Sequence, residues 1–249
     1  MNRIVVSRRL YPELVDALRK DFDVVANQED KNWTPAELAA ALADADGALV
    51  TSSDRIDETL LERCPRLKVV ANIAVGYNNI DLAACTKLGV LATNTPDVLN
   101  EATADHAWAL LLAAARRVSE SERWLRAGHW KRWTFEMFNG AEVSGTTLGI
   151  LGMGRIGRAI ARRAAGFSMR VVYHNRNRLP AGQEGGARYV ALDELLAQSD
   201  HLVLVVPYSQ AVHHVIGAAQ LARMKRSAVL VNIARGGVVD DAALVTALR

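Results

Sequence analysis

Short apolar runs alternate along the first part of the chain with amphipathic segments of helical period. The runs are rich in Val, Leu, Ile and Ala, and they are Arg3–Ser7, Asp23–Ala26, Gly47–Thr51, Leu67–Ala71 and Val90–Thr93. The helical patterns between them are Pro12–Lys20, Thr34–Ala43, Ile56–Arg63 and Leu82–Leu88. Strands that alternate with helices in this way form a parallel sheet with helices on both faces. The pattern therefore predicts a doubly wound α/β domain over residues 1–98.

The longest helical pattern, Val98–Ala127, comes next and predicts a single connector helix. The loop that follows it, residues 128–144, contains large apolar side chains with few flanking aliphatic residues. They are Trp130, Trp133, Phe135, Met137 and Phe138. Two interpretations stay open, because such side chains either pack under the connector helix or contact a partner subunit. The second interpretation leads us to expect a homodimer.

A second alternation of strands and helices begins at Thr147. The predicted strands are Leu148–Leu151, Arg170–His174, His201–Val206 and Ala228–Asn232, and the predicted helices are Arg158–Ala165, Leu192–Gln198 and Ala219–Met224. A further helical pattern starts at Asp241. We expect residues 99–249 to form a second doubly wound parallel-sheet domain, to which the connector helix, residues 98–127, belongs.

Three glycines form a G-x-G-x-x-G motif between the first strand and the first helix of this second domain. Gly152 permits a tight turn, Gly154 has no side chain to keep the backbone from a pyrophosphate, and Gly157 lets the helix pack close to the strand. The phosphates would bind to unpaired N–H groups at the positive end of the helix. With the next strand the segment completes a βαβ unit that binds a dinucleotide. The predicted cofactor contacts in this motif are Gly152, Met153, Gly154, Arg155, Ile156 and Gly157.

The end of the second strand of this unit, Arg170–His174, indicates which dinucleotide is bound. An NAD site usually places Asp or Glu here, about 20 residues past the first glycine, to accept hydrogen bonds from the ribose 2′-hydroxyl. This sequence has Asn175, which would not repel a 2′-phosphate, and Arg176 and Arg178, which could pair with it. The pattern favours NADPH, with NADH possible. The alternative is that both arginines are merely solvated at a strand end.

Charge is distributed unevenly between the two predicted domains. The 249-residue chain has a net charge of +3, but residues 99–249 hold 19 Lys or Arg against 12 Asp or Glu, whereas residues 1–98 hold 11 against 15. Positive charge near a phosphate site raises the local concentration of anionic ligands. The arginines are scattered over amphipathic helices without a basic run, so we expect no nucleic-acid partner.

Cys64 and Cys85 are the only cysteines, and they have neither C-x-x-C spacing nor a nearby His, so we predict no metal site. Two isolated cysteines are typical of structural thiols in a reducing compartment. The amino terminus enters a strand without the features of a signal peptide. No apolar run approaches the roughly 18 residues that a membrane span needs. We therefore expect a cytoplasmic protein with no membrane partner.

Four segments together resemble the D-isomer-specific 2-hydroxyacid dehydrogenases. They are Val75–Asp81, Asn100–Leu110 leading to Arg116 and Arg117, Gly145–Gly157, and Asn232–Asp240. They occur in the order of the family from the third predicted strand onward, and the last two are specific. Within the family, the sequence is similar to the glyoxylate, hydroxypyruvate and 2-ketogluconate reductases, which commonly use NADPH. The resemblance implies a flavodoxin-like substrate domain, a Rossmann nucleotide-binding domain, and a small 2-keto or 2-hydroxy acid as substrate.

The resemblance also implies roles for single residues. Hydride transfer to a 2-keto acid needs donors on the carboxylate, an electrophile at the ketone oxygen and an acid to deliver the proton. Arg235 matches the catalytic arginine of the family, which orients and polarises the keto acid. Val75 and Gly76 match its carboxylate-binding turn, in which backbone N–H groups bind the substrate. The further predicted cofactor contacts are Thr103, which matches a residue near the nicotinamide and phosphates, Pro207 and Ala234.

One part of the family pattern has no counterpart in these residues. The family places a glutamate some tens of residues after the arginine, and later a histidine that donates the proton, but the sequence ends 14 residues after Arg235. None of the six histidines follows the strand that should carry the acid; they are His106, His129, His174, His201, His213 and His214. We expect a truncated chain or a fragment of a longer protein, with an incomplete nucleotide-binding domain and little or no turnover by itself.

Two other classes compete with a reductase. A non-catalytic nucleotide-binding protein, such as a sensor or corepressor on the same fold, would tolerate the loss of the acid, and so would an inactive fragment. A methyltransferase would use the same glycine turn, but it leaves the segment Asn232–Asp240 unexplained. We therefore favour the reductase and keep the non-catalytic protein as the alternative.

Overall fold

This computed structural model describes all 249 residues, which divide into two units. Unit 1 is Met1–Val98 and unit 2 is Leu99–Arg249. A sheet of five parallel strands forms the centre of unit 1. The strands of unit 1 are β1 (Arg3–Val6), β2 (Asp23–Ala26), β3 (Gly47–Val50), β4 (Val69–Asn72) and β5 (Leu91–Thr93), in the order β2-β1-β3-β4-β5. Its helices are α1 (Pro12–Leu18), α2 (Pro35–Leu42), α3 (Glu58–Glu62) and α4 (Leu82–Leu88). The predicted parallel α/β sheet is confirmed.

Local sequence explains where three of these helices begin or end. Thr34 caps α2 in a capping box, because its hydroxyl accepts from the Glu37 N–H and the Glu37 carboxylate accepts from the Thr34 N–H at 2.8 Å. Asp57 and Asp81 cap α3 and α4 by accepting hydrogen bonds from backbone N–H groups. Gly89 ends α4 with a φ of +70°, a left-handed conformation that favours glycine.

Unit 2 contains a second sheet of five parallel strands, in the order β10-β9-β6-β7-β8. The strands are β6 (Thr147–Leu151), β7 (Arg170–His174), β8 (Arg188–Tyr189), β9 (His201–Leu204) and β10 (Val229–Asn232). The helices are α5 (Asn100–Ala115), α6 (Val118–Arg126), α7 (Arg155–Ala164), α8 (Leu192–Gln198), α9 (Ala218–Arg223) and α10 (Asp241–Ala247). The chain order reverses at β6, which pairs with β7 on one side and β9 on the other. In such sheets ligands bind beyond the carboxyl ends of the strands at this switch point.

Two clusters of buried side chains cover the faces of the unit 2 sheet. One contains Leu148 and Ile150, and the other contains Leu151 and Leu202. Because β6 is the central strand and is buried on both faces, it is a continuous apolar run rather than an alternating one. Elsewhere, no helix of the structure combines the length and the apolar character needed to cross a membrane.

The prediction of one continuous connector helix over residues 98–127 is wrong. Two helices, α5 and α6, occupy this segment, and Arg117 between them has a φ of +54°, which interrupts the helix. One local and one tertiary contact hold Arg117 there: its guanidinium binds the carboxylate of Glu120, three residues on, at 2.7 and 2.8 Å, and lies 5.4 Å from the centre of the Phe138 ring. The Ala115 carbonyl also accepts from the Ala141 N–H at 2.8 Å, so the loop after α6 returns to the end of α5.

Some of the large apolar side chains of the loop 128–144 pack against the preceding helix, and others are exposed, as contact with a partner subunit would require. Phe138 is half-buried and packs edge-on against Trp124 of α6, with ring centroids 5.5 Å apart. Trp130, Trp133 and Phe135 are 49%, 63% and 83% exposed. The loop therefore packs partly under α6, and it presents three aromatic rings to solvent.

Helix α5 packs against α7, the helix that follows the glycine motif. The indole Nε1 of Trp108 donates to the Ile160 carbonyl at 3.1 Å, and its ring stacks on Phe167 with centroids 4.6 Å apart. Arg163 of α7 forms an ion pair with Asp105 of α5 at 2.6 Å. The stacked aromatic rings and the ion pair together fix the position of α7 relative to α5.

Candidate functional site

The glycine motif forms the turn between β6 and α7. Gly152 has a φ of +107°, and a Cβ at this position would lie 2.9 Å from the Val205 carbonyl carbon and oxygen, so only glycine fits the turn. A Cβ on Gly157 would lie 2.2 Å from the Gly152 carbonyl oxygen, so this glycine permits close contact between α7 and the turn. A Cβ on Gly154 would meet no heavy atom within 4 Å and would project into open space. The loop thus has the backbone geometry that a bound pyrophosphate requires.

Main-chain groups are the donors available at the amino terminus of α7. Gly154 is the N-cap of this ten-residue helix and has no side chain that could bind the first N–H groups. The Met153 side chain is only 1% exposed, and Ile156 packs against the core. Arg155, at the first helical position, is exposed. The side chains of Met153 and Ile156 therefore point away from a ligand, and the N–H groups of the first turn of α7 are the donors next to the positive end of the helix.

One side chain ties the end of β7 to the glycine loop. The Oδ1 atom of Asn175 accepts a hydrogen bond from the Met153 N–H at 2.6 Å. The Tyr189 hydroxyl donates to the Asn175 carbonyl at 3.3 Å, which fixes the backbone of the same residue. The side-chain oxygen accepts from the loop, and the Nδ2 amide group can donate to a ligand.

Arg176 and Arg178 have different surroundings. Arg176 is exposed and takes part in none of the ion pairs of unit 2. The Arg178 guanidinium binds the Glu184 carboxylate through two contacts, Nε to Oε1 at 2.9 Å and Nη2 to Oε2 at 3.2 Å. Hydrogen bonds from Arg178 and then from Tyr173 lower the pKa of Glu184. Sequence reasoning treated the two arginines alike and missed Glu184, since nothing in the pattern shows how the loop after β7 folds.

The strands β9 and β10 end at the edge of the sheet where the glycine turn lies. Pro207 is exposed beyond β9, and beyond β10 Ala234 is half-buried and Arg235 exposed. The last residue of β10, Asn232, holds this turn: its Nδ2 donates to the Arg235 carbonyl at 2.8 Å, and its Oδ1 accepts from the Ala234 N–H at 3.0 Å. Sequence reasoning gave Asn232 no role, although an Asn that bonds to the backbone two residues further on is a recognised turn signal.

A polar cluster beside Gly237 was also missed from the sequence. The Tyr208 hydroxyl lies 2.9 Å from His213 Nδ1, and the rings of His213 and His214 stack with centroids 3.9 Å apart. The His214 N–H donates to the Gly237 carbonyl at 2.8 Å, and a Cβ on Gly237 would lie 3.0 Å from the Tyr208 ring. The cluster therefore packs against the turn that follows Arg235.

Side-chain amides hold the predicted carboxylate-binding turn of unit 1. Asn94 donates to the Val75 carbonyl at 2.9 Å, and Asn72 donates to the Gly76 carbonyl at 2.9 Å. No hydrogen bond within unit 1 uses the N–H groups of Val75 and Gly76. With their carbonyls held by amides, these two residues have N–H groups available for an anion.

The remaining predicted residue, Thr103, lies near the start of α5, is half-buried, and donates its N–H to the Leu99 carbonyl at 2.9 Å. Within unit 2 the structure brings Asn175 into contact with the glycine loop and places Ala234 and Arg235 together on one turn. Val75 and Gly76 belong to unit 1, so the predicted site residues are distributed over both units.

A cavity of about 850 Å³ lies at the other edge of the unit 2 sheet, where the strands begin. Thr147, Arg170 and Lys225 are among the residues that line it. Its cations already have partners, since Arg170 donates to the Thr147 hydroxyl at 3.1 Å and Lys225 pairs with Asp200 at 2.7 Å. Because the cavity lies where the strands begin, it does not belong to the site at their carboxyl ends. The structure also contains no group of three His, Cys, Asp or Glu side chains that could hold a metal ion.

Among the histidines, His201 is buried at the start of β9. Burial lowers its pKa, its Nε2 lies 3.4 Å from the Glu142 carbonyl, and its Nδ1 has no partner. His174, at the end of β7, contacts the Val190 carbonyl through Nδ1 at 2.8 Å. Both rings therefore make structural contacts within unit 2.

Known proteins resemble this chain over its whole length. Residues 108–249 match a family model described as the NAD binding domain of D-isomer specific 2-hydroxyacid dehydrogenases. The chain is 48% identical over 252 residues to the glyoxylate reductase of Thermococcus onnurineus, and the match covers 99% of this chain and 75% of that protein. The chain thus spans about three quarters of the length of this relative.

Solved structures are also similar. The NADPH-dependent glyoxylate/hydroxypyruvate reductase of Sinorhizobium meliloti, in complex with NADP and malonate, has a TM-score of 0.87 and 34% identity over 99% of this chain and 75% of its own. The D-lactate dehydrogenase of Aquifex aeolicus, in complex with NAD and lactic acid, has a TM-score of 0.85 and 31% identity over 99% and 73%. The predicted family resemblance, the fold class and the nicotinamide cofactor are confirmed.

Proposed function

The chain belongs to the D-isomer-specific 2-hydroxyacid dehydrogenases, NAD(P)-dependent oxidoreductases of small keto and hydroxy acids, and we propose that it is an NADPH-preferring reductase of glyoxylate, hydroxypyruvate or 2-ketogluconate. The hydrogen bond between the Met153 N–H and Asn175 carries the cofactor part of this proposal. The substrate part is supported by the relatives, since the Thermococcus onnurineus protein is a glyoxylate reductase and the Sinorhizobium meliloti enzyme a glyoxylate/hydroxypyruvate reductase.

The end of β7 favours a 2′-phosphate over a free ribose. In NAD enzymes, a carboxylate at this position accepts hydrogen bonds from the ribose 2′-hydroxyl. Here the side-chain oxygen of Asn175 accepts from the glycine loop and has no negative charge that would repel a phosphate, and the Nδ2 amide group can donate to a phosphate oxygen. Arg176, exposed and without an ion pair, adds a cation next to it. Donors and a cation together suit an anionic 2′-phosphate.

The glycine loop and the start of α7 fit the rest of the cofactor. The open space in front of Gly154 admits the pyrophosphate, and the N–H groups of the first turn of α7 bind it. Thr103, Pro207 and Ala234 complete the cofactor site in unit 2. When bound, the nicotinamide supplies the hydride that reduces the keto carbon.

The substrate is held by one side chain and one backbone turn. Arg235 binds the keto acid and polarises its carbonyl oxygen, because its guanidinium is a permanent cation with planar donors. The N–H groups of Val75 and Gly76 bind the carboxylate. Of these groups, Arg235 acts where negative charge develops during reduction, at the ketone oxygen, which is the condition under which a preorganised donor accelerates a reaction. The N–H groups of Val75 and Gly76 position the substrate through its carboxylate.

We further propose that unit 1 is the substrate domain and unit 2 the nucleotide-binding domain, and that the protein is a cytoplasmic homodimer. Exposed Trp130, Trp133 and Phe135 support the homodimer, because an aromatic surface of this kind is typical of an interface between subunits. The two cysteines, Cys64 and Cys85, are buried and unpaired, as expected in a reducing compartment.

The test measures binding and turnover separately. Dissociation constants for NADPH and NADH are obtained from quenching of tryptophan fluorescence. Oxidation of each reduced cofactor is then followed with glyoxylate, hydroxypyruvate and 2-ketogluconate, on the 249-residue chain and on any longer product of the same gene. We expect tighter binding of NADPH, turnover of at least one of the acids by the longer product, and little or no turnover by the 249-residue chain.

Two results would contradict the proposal. Equal affinities for NADPH and NADH would remove the cofactor preference. Cofactor binding without turnover of any of the three acids, in every form of the protein, would favour a non-catalytic nucleotide-binding protein.

A further inference from the structure

The carboxylate of Glu184 binds one edge of the Arg178 guanidinium, a group that is expected to bind the 2′-phosphate. Its two oxygens lie 2.9 and 3.2 Å from Nε and Nη2 of Arg178. We propose that Glu184 is a specificity-determining residue, which competes with the 2′-phosphate of NADPH for Arg178. This inference rests on the proposed NADPH preference. Under it, the affinity for NADPH depends on two opposing effects: Arg178 attracts the 2′-phosphate, and Glu184 competes with the phosphate for Arg178.

The geometry of the pair makes the competition direct. Arg178 presents Nε and Nη2 side by side, and this edge of a guanidinium binds carboxylates and phosphates alike through two parallel hydrogen bonds. One edge cannot bind both anions in this way. A phosphate can therefore take this edge of Arg178 only when Glu184 releases it. With Glu184 in place, the phosphate is left with the Nη1 side of the guanidinium, next to a carboxylate that offsets its charge.

Glu184 is held in place more firmly than Arg178. The Glu184 side chain is 17% exposed, whereas the Arg178 side chain is 65% exposed. Tyr173 is fully buried, and its hydroxyl donates to Glu184 at 2.7 Å while accepting from the Leu179 N–H at 3.1 Å. Arg178 is thus the partner that moves, and Glu184 keeps its hydrogen bond to Tyr173 when Arg178 leaves.

The loop that carries Glu184 lies next to the phosphate-binding helix. Three glycines of this loop have left-handed φ values, +84° at Gly182, +58° at Gly185 and +84° at Gly186. Gln183 accepts from Arg158 of α7 at 3.3 Å. The loop therefore brings a carboxylate to the region between the end of β7 and the start of α7, where an anionic cofactor group is expected.

The test uses direct binding of NADPH, NADH and 2′,5′-ADP to the wild type, Glu184→Gln, Arg176→Ala, Arg178→Ala and the double variant of Glu184→Gln with Arg178→Ala. Gln keeps an oxygen that can accept from Tyr173 but loses the charge that holds Arg178. We expect Glu184→Gln to bind NADPH and 2′,5′-ADP about two- to fivefold more tightly, the range set by the strength of exposed ion pairs, and NADH unchanged. In the Arg178→Ala background, Glu184→Gln should have no effect.

The matched control is Glu194→Gln, which breaks an exposed pair of the same domain, Glu194 with Arg188 at 2.9 Å. It should leave all three dissociation constants unchanged. Thermal unfolding checks that every variant is folded.

Three outcomes would overturn the proposal or its premise, and they differ from one another. If Arg178→Ala weakens NADPH binding while Glu184→Gln changes nothing, Arg178 binds the phosphate without competition. If Glu184→Gln strengthens NADPH binding equally with and without Arg178, the carboxylate acts only through its long-range field. If neither Arg176→Ala nor Arg178→Ala affects NADPH, the proposed 2′-phosphate site itself is wrong.

Discussion

The side-chain amide of Asn232 donates to the carbonyl oxygen of Arg235 at 2.8 Å, so the last residue of β10 fixes the backbone of the proposed catalytic arginine. We predict that Asn232→Ala lowers kcat/KM for the keto acid about tenfold, because two hydrogen bonds of about 1 kcal/mol each are lost from the turn. The affinity for NADPH should not change. Asn139→Ala is the control, because it removes a comparable bond to the Phe135 carbonyl at 3.0 Å in the loop 128–144. An equal loss of cofactor affinity would contradict a positioning role.

Arg235 is predicted to act on the substrate and not on the fold. Arg235→Ala should lower kcat about 10²- to 10³-fold, the usual cost of one preorganised donor. Arg235→Lys should lose less, because it keeps the cation but not the planar donors. Since Arg235 is exposed, the melting temperature of both variants should match the wild type. Steady-state kinetics and thermal unfolding check these outcomes, and an unchanged kcat in Arg235→Ala would assign the polarising role to another residue.

Substitutions of Gly154 and Gly157 should distinguish an effect on stability from an effect on cofactor binding. Gly157→Ala places a Cβ 2.2 Å from the Gly152 carbonyl oxygen, so we expect lower stability and weaker cofactor binding together. Gly154→Ala meets no atom within 4 Å, so the fold should keep its stability while the new methyl group obstructs the pyrophosphate. Gly166→Ala, which also has open space around it, is the control for both measurements. Undiminished NADPH binding by Gly154→Ala would place the pyrophosphate elsewhere.

The two arginines beyond β7 should contribute unequally to NADPH binding. Arg176→Ala combined with Arg178→Ala should weaken NADPH binding at least about tenfold, since each charge-assisted contact is worth about 1.5–3 kcal/mol. Alone, Arg176→Ala should cost more than Arg178→Ala, because Glu184 already binds one edge of Arg178 and offsets its charge. NADH binding should stay the same. A similar loss for both cofactors would show that these side chains do not recognise the 2′-phosphate.

The buried His201 should make stability depend on pH. Its pKa lies below the ordinary 6.5, so the folded ring stays neutral where the unfolded chain binds a proton. The free energy of unfolding should therefore fall as the pH drops below about 6.5. His201→Gln should flatten this decrease, whereas His106→Gln, at an exposed position of α5, should not. Denaturant titrations at several pH values measure the slope, and identical slopes in the wild type and His201→Gln would exclude His201 as the cause.

The sequence alone was sufficient where geometry depends on a few adjacent residues. The turn at Gly152 and the close contact at Gly157 follow from backbone conformation and from the space that a Cβ would need, and glycine spacing encodes both. The start of α4 behind Asp81 follows in the same way from capping. Strands such as β7 were predicted with their observed ends because a buried parallel strand is a continuous apolar run.

Features that depend on distant contacts were not predictable from the pattern. Arg117 interrupts the predicted connector helix in a conformation that Arg rarely adopts, and the Phe138 ring, 21 residues on, contacts its guanidinium only once the chain has folded. The pairing of Arg178 with Glu184 depends on the path of a loop, and β8 is two residues long, too short to give a periodic signal. In each case tertiary structure, rather than local preference, decides the outcome.

The buried ring of Trp108 also gives the protein an optical property. Of the five tryptophans it alone is buried, at 5% exposure, and its indole donates to a carbonyl of α7, the helix that follows the glycine motif. We therefore expect its emission to lie at shorter wavelength than that of exposed Trp130 and Trp133. A displacement of α7 that changes this hydrogen bond should therefore shift the wavelength of the Trp108 emission maximum. The chain thus carries an intrinsic chromophore whose spectrum reports the state of that helix without any label.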